Sequence, residues 1–99
     1  MDHATAASLT ATIIALAGEI AAASDGDVTI VHDAAELDAA HARGGLGVVL
    51  HSEGAEAVAP DLADLEDWYA AGLRSLGPVW SRENAFAHGV PFRFPSTPD

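Results

Sequence analysis

Leu46-Gly47-Val48-Val49-Leu50-His51-Ser52-Glu53-Gly54 is the stretch on which the fold turns. Leu46 to Leu50 form an unbroken apolar run. Continuity, rather than alternation of apolar and polar side chains, indicates a strand buried on both faces, as in a parallel sheet. A second strand is expected upstream, where the turn Ser24-Asp25-Gly26-Asp27 gives way to the β-branched run Val28-Thr29-Ile30-Val31. A third lies within Leu73 to Trp80. Helices separate them. Asp33 caps one that runs through Ala42 with Leu37 on its inner face, and Gly44-Gly45 supply a left-handed exit. Asp61 caps another that carries Leu62, Leu65, Trp68 and Tyr69 inward and ends at Gly72. Ahead of both, Leu9, Ile13, Leu16 and Ile20 fall at steps of four, three and four, one stripe of a helix that faces a core.

Strands alternating with helices through short connections define an α/β protein built on a parallel sheet. A closed (β/α)8 barrel needs eight strands and about 250 residues, so three strands supply about two fifths of one. The expectation is a partial (β/α)8 TIM-barrel segment with about three parallel strands and three helices, residues 1–99 forming a single segment. The core is expected to be thin. Apolar residues make up 49% of the chain, but 22 of them are alanine. Fifteen acidic residues against four arginines, with no lysine, give a net charge of −11. That field repels phosphate backbones and anionic membrane surfaces, so neither nucleic acid nor membrane is an expected partner. Ala4 to Ala23 is the one membrane-like stretch, but three threonines, Ser8 and Glu19 interrupt it, and it reads as a soluble helix. The first basic side chain, Arg43, comes too late for a signal-peptide n-region, so a cytoplasmic location is expected. There is no cysteine, hence no disulfide and no thiolate metal site, and any metal must be held by His, Asp or Glu.

In parallel α/β architecture, reactive groups gather just past the carboxyl ends of strands. Two loops qualify here, His51-Ser52-Glu53-Gly54 and Trp80-Ser81-Arg82-Glu83-Asn84-Ala85-Phe86. Both leave the same edge of the expected sheet and can line one cleft. The residues Gly47 to Glu56, then Leu65, Trp68-Tyr69, Gly72-Leu73-Arg74-Ser75-Leu76-Gly77, Trp80-Ser81, Asn84-Ala85-Phe86-Ala87 and Gly89 resemble the membrane (renal) dipeptidase family of zinc peptidases, its bacterial branch above all. The resemblance implies a (β/α)8 barrel holding two zinc ions, bridged by a glutamate and a hydroxide, that hydrolyses dipeptides. Glu53 falls on the bridging glutamate. A carboxylate suits that place because its two oxygens can each bind one metal of a pair about 3.5 to 4 Å apart. The family also draws ligands from a His-x-Asp pair on its first barrel strand and from two later histidines, none of which has a counterpart here. The chain therefore reads as a partial segment of such an enzyme, inactive by itself.

The resemblance also implies substrate contacts. Trp80 stands where many members carry a substrate-contacting histidine and leaves an aromatic wall instead. By side-chain chemistry rather than by the resemblance, Arg82 and Asn84 can grip a peptide terminus or amide, and of the two Asn84 is kept as a site residue. Alternation puts His51 on the same side as Glu53, where it reads as a non-ligating loop histidine. His32 and Glu36, four apart on a helix, read as an exposed pair, and His41 and His88 as surface residues. The competing reading is a small acidic α/β interaction module without catalysis, its strand edges covered by a partner or by a second copy in a homo-oligomer.

Overall fold

A computed structural model describes residues 2–89. Asp2, in an extended conformation, accepts from the Thr5 backbone N–H at 2.7 Å and starts helix α1, His3–Ala23. The helix stops at Ser24, whose hydroxyl oxygen accepts from the Val28 backbone N–H at 2.9 Å and so ties the turn to the first strand. The stripe on α1 is not where the periodicity predicts. Leu9, Ile13, Leu16 and Ile20 are 49% to 64% exposed, whereas Ala6 is buried, with Ala7 and Ile14 packed beside it. Periodicity identifies side chains that share a face. It does not say that anything lies against that face, and among the described residues nothing covers it. By length and composition alone, α1 is apolar enough to cross a membrane.

Strand β1, Val28–Ile30, pairs in parallel with β2, Leu46–Val48, and β3, Leu50–Glu53, pairs in parallel with β4, Leu73–Gly77. The expected α/β class, parallel strands and three helices are all present. The last strand, Leu73–Gly77, lies within Leu73 to Trp80 as expected. Two details differ. The single strand expected through Leu46 to Leu50 is divided at the half-exposed Val49, its first part bonded to β1 and its second to β4. Burial on both faces is also incomplete, since Leu46 is 61% exposed.

Helix α2, Ala34–Ala42, is capped as expected: Asp33 accepts from the Glu36 N–H at 2.8 Å, and Gly44 takes a positive φ of 77° just past the end. It sits on β2 through Ala40 and Leu37, whose Cδ1 lies 2.7 Å from the place a Cβ would take on Gly47, so a methyl group there would push that side-chain end aside. Helix α3, Leu65–Ala71, begins later than expected. Asp61 bonds only the Ala63 N–H two residues on, and Leu62 adopts φ 63° before the helix begins. Of the four side chains expected to point inward, Trp68 alone is buried. Leu62, Leu65 and Tyr69 are exposed, and Tyr69 carries the Arg74 guanidinium 3.5 Å above its ring centroid. Gly72 closes the helix at φ 114°. The principal core consists of Ala6, Ala55, Ala57, Val58, Trp68 and Leu73, as thin as the alanine content implies.

Candidate functional site

The two residues of interest on β3 share a face because strand side chains alternate. His51 stands opposite Ser75 on β4, and Glu53 stands opposite Gly77. The His51 ring bridges its neighbours, with Nε2 2.8 Å from Glu53 Oε2 and Nδ1 2.7 Å from Ser75 Oγ. A carboxylate only accepts, so Nε2 is the donor toward Glu53, and Nδ1 of the neutral ring accepts from the serine hydroxyl. The carboxylate of Glu53 lies across Gly77: a Cβ there would stand 2.8 Å from Oε2 and 3.2 Å from both Cδ and Oε1. Beyond the strand, the Gly54 N–H donates to the Gly77 carbonyl at 2.8 Å and the Ala55 N–H to Pro78 O at 2.9 Å, so the two chains stay bonded past the site. Ala55, Ala57 and Val58 then enter the core, where Trp68 Nε1 donates to Ala57 O at 3.0 Å. The loop that follows Glu53 is thereby anchored on α3.

The second loop is fastened by Asn84. Its Nδ2 donates to Pro78 O at 2.7 Å, and its Oδ1 accepts from the Phe86 N–H at 2.9 Å and the Ala87 N–H at 3.3 Å. Its side-chain amide thus folds the loop back onto the end of β4. Trp80 is 61% exposed. The two loops do line common ground, as expected. Glu56 and Val58 face Arg82, Asn84 and Phe86 around a hollow of about 250 Å³, and Glu53 with Arg82 borders a neighbouring one of about 200 Å³ that reaches Leu9 on α1.

Three other histidines are engaged at the surface. His32 pairs with Glu36 at 2.9 Å and His88 with Glu83 at 2.8 Å, both at exposed positions. His3, at the start of α1, pairs with Asp64 Oδ2 at 2.8 Å, while Asp64 Oδ1 accepts from the Ala59 N–H at 2.8 Å. Burial pushes the Asp64 carboxyl up, but the Ala59 N–H and His3 outweigh it and leave the group below the usual carboxylate range. The Thr5 N–H does the same for Asp2.

Among the described residues, no group of three or more His, Asp or Glu converges as a metal would require. Glu53 has the chemistry of one hard oxygen ligand, and its side chain is 56% exposed, open to a cation. The rest of a dinuclear ligand set is not found among these residues. Sequence reasoning singled out Glu53, read His51 as a non-ligating loop residue, and did not place Ser75 and Gly77 beside them. The His-x-Glu alternation was a sufficient signal for the first, whereas the other two depend on register.

Comparison with known proteins gives a consistent picture. The family model for membrane dipeptidase, peptidase family M19, matches residues 1–94. Two curated relatives are uncharacterized proteins. One, from the PQQ-III 3′ region of Acinetobacter calcoaceticus, is 52% identical over 56 residues, covering 54% of this chain and 17% of that protein. The other, from the pqqA 5′ region of Klebsiella pneumoniae, is 36% identical over 86 residues, covering 87% of this chain and 32% of that protein. Two solved structures are each 40% identical with a TM-score of 0.90 over 96% of this chain. One is the dipeptidase AC, a metallopeptidase of family M19, of which this chain covers 28%. The other is a metallopeptidase from Rhodobacter sphaeroides liganded with a phosphinate mimic of the dipeptide L-Ala-D-Ala, of which it covers 27%. The chain thus spans a third or less of the length of each of these proteins, and its fold matches a part of the M19 TIM-barrel-like fold. With a matching model over nearly its whole length and this backbone agreement, the chain belongs to the membrane dipeptidase family, peptidase family M19.

Proposed function

We propose that this chain is the part of a zinc-dependent dipeptidase that carries the metal-bridging glutamate, Glu53, and that the 99 residues alone hydrolyse nothing. The observation that carries this reading is the placement of Glu53 at the carboxyl end of β3, where its carboxylate lies over a glycine and is held by a neighbouring imidazole. A pair of zinc ions, when bound, supplies Lewis acidity toward the peptide carbonyl and activates water near neutral pH. One carboxylate cannot hold that pair against hydration, so the remaining ligands must come from other polypeptide. Dipeptides are the substrate class favoured by the family and by the ligand of the Rhodobacter sphaeroides structure. In this segment Trp80 contributes an aromatic wall, and Asn84 shapes the loop that faces the substrate.

The test has two parts. The isolated chain, supplied with zinc and a dipeptide panel, is expected to give no hydrolysis above a chelator control, and chelator-sensitive turnover would overturn its inactivity. In the complete dipeptidase, Glu53→Gln is expected to release the metal pair, and a variant that keeps both ions refutes the bridging assignment. The exposed stripe of α1 favours a second reading, an acidic interaction module that acts through that face. A monodisperse monomer with a sharp unfolding transition supports that alternative.

A further inference from the structure

Three residues of β3 and β4 meet around the Glu53 carboxylate, and only one of them touches it by hydrogen bond. Ser75 Oγ is 2.7 Å from His51 Nδ1, and His51 Nε2 is 2.8 Å from Glu53 Oε2. With the ring neutral, one direction of donation satisfies this chain, from hydroxyl to ring and from ring to carboxylate, because the carboxylate can only accept. The bond occupies one of about four lone-pair sites on the carboxylate and leaves the others for cations. Gly77 acts by what it lacks. Its φ lies outside the left-handed region, so glycine is not needed there for backbone conformation. It is needed for room, since a methyl group at that position would intrude on Oε2, Cδ and Oε1 of Glu53 at 2.8 to 3.2 Å. Those atoms are the free end of a flexible side chain. An alanine would therefore fold normally and turn the carboxylate aside.

We propose that His51 and Gly77 are positioning residues that aim the Glu53 carboxylate, His51 by a hydrogen bond relayed from Ser75 and Gly77 by leaving its side-chain space empty. The proposal rests on the reading of Glu53 as a metal ligand, and the experiment separates the two. In the 99-residue chain, the carbon-13 resonance of the Glu53 carboxyl and the nitrogen-15 resonances of the His51 ring report the contact without any metal. Gly77→Ala and His51→Ala are each expected to move the Glu53 resonance toward that of an unrestrained glutamate, at an unfolding midpoint close to the parent's. His51→Gln, which keeps a donor near the Nε2 position, is expected to restore it. In the complete dipeptidase, the first two variants are expected to weaken zinc binding about 10- to 100-fold, the usual effect of removing a ligand's supporting partner. A Glu53 resonance unmoved by both substitutions overturns the proposal. So does zinc binding that Glu53→Gln abolishes but His51→Ala and Gly77→Ala leave intact. Zinc retained by Glu53→Gln instead overturns the ligand reading beneath it. If Gly77→Ala fails to fold, the steric argument is wrong, and the His51 pair of variants decides the hydrogen-bond part.

Discussion

Replacing Trp68 with phenylalanine tests how the site is tied to the core. Trp68 is the largest buried side chain, and its Nε1–H reaches the Ala57 carbonyl at 3.0 Å in the loop that follows Glu53. Phenylalanine keeps most of the ring but removes the donor. A buried carbonyl left without its partner costs about 1 to 3 kcal/mol. The smaller ring leaves a void worth about 1 kcal/mol more. The expected loss is then about 2 to 4 kcal/mol, against a total stability of about 5 to 15 kcal/mol for a chain of this length. With a urea slope of about 2 kcal/mol/M, the unfolding midpoint should fall by about 1 to 2 M. Far-UV circular dichroism reads the transition, because α1 dominates the helical signal. Amide exchange at Ala55 and Val58 should quicken in parallel, since both belong to the anchored loop. A midpoint within about 0.3 M of the parent would refute the view that this bond fastens the loop beneath the site.

Asp64 predicts an acid-side instability. Its folded pKa is depressed, so the stability it contributes is present above the ordinary carboxylate pKa and is lost as pH falls through the lower folded value. The melting temperature of the parent should therefore decline between about pH 5 and pH 3 more steeply than that of Asp64→Asn, and parallel profiles would count against the His3 and Ala59 contacts as the cause. The exposed stripe on α1 predicts self-association of the chain. Ile13→Glu together with Leu16→Glu should lower the sedimenting mass while leaving the helical signal in place, and a helix that melts instead would mean that those side chains are packed.

Much of this architecture follows from local chemistry that a reader of the sequence can apply. Asp33, Gly44 and Gly72 mark helix ends because capping and positive φ place strict demands on residue type, and all three stand where they were expected. Glu53 was singled out through its neighbours, since a glutamate before a glycine carries no signal of its own. The errors have a common origin in distance. Leu9 to Ile20 share a stripe, yet whether it is covered depends on polypeptide that the local pattern does not mention. Asp61 resembles a cap, but Asp64, held by His3 from 61 residues away and by the Ala59 N–H, sits at the helix start instead. Ser75 and Gly77 matter only through their partners across the ladder, and register is not written in either strand alone.

The slip between the Leu50–Leu73 and His51–Ser75 pairs gives β4 one residue more than β3 over that step, Arg74. Its guanidinium donates from Nε to the His32 carbonyl and from Nη1 to the carbonyls of Tyr69 and Leu73, and it stacks on Tyr69. Without the slip, His51 would stand against Arg74 and Glu53 against Leu76. The additional residue works like a phase correction: it brings a hydroxyl level with the imidazole and a bare backbone level with the carboxylate. A regular ladder built from the same two stretches of sequence would keep every side chain and put each of those two opposite the wrong neighbour.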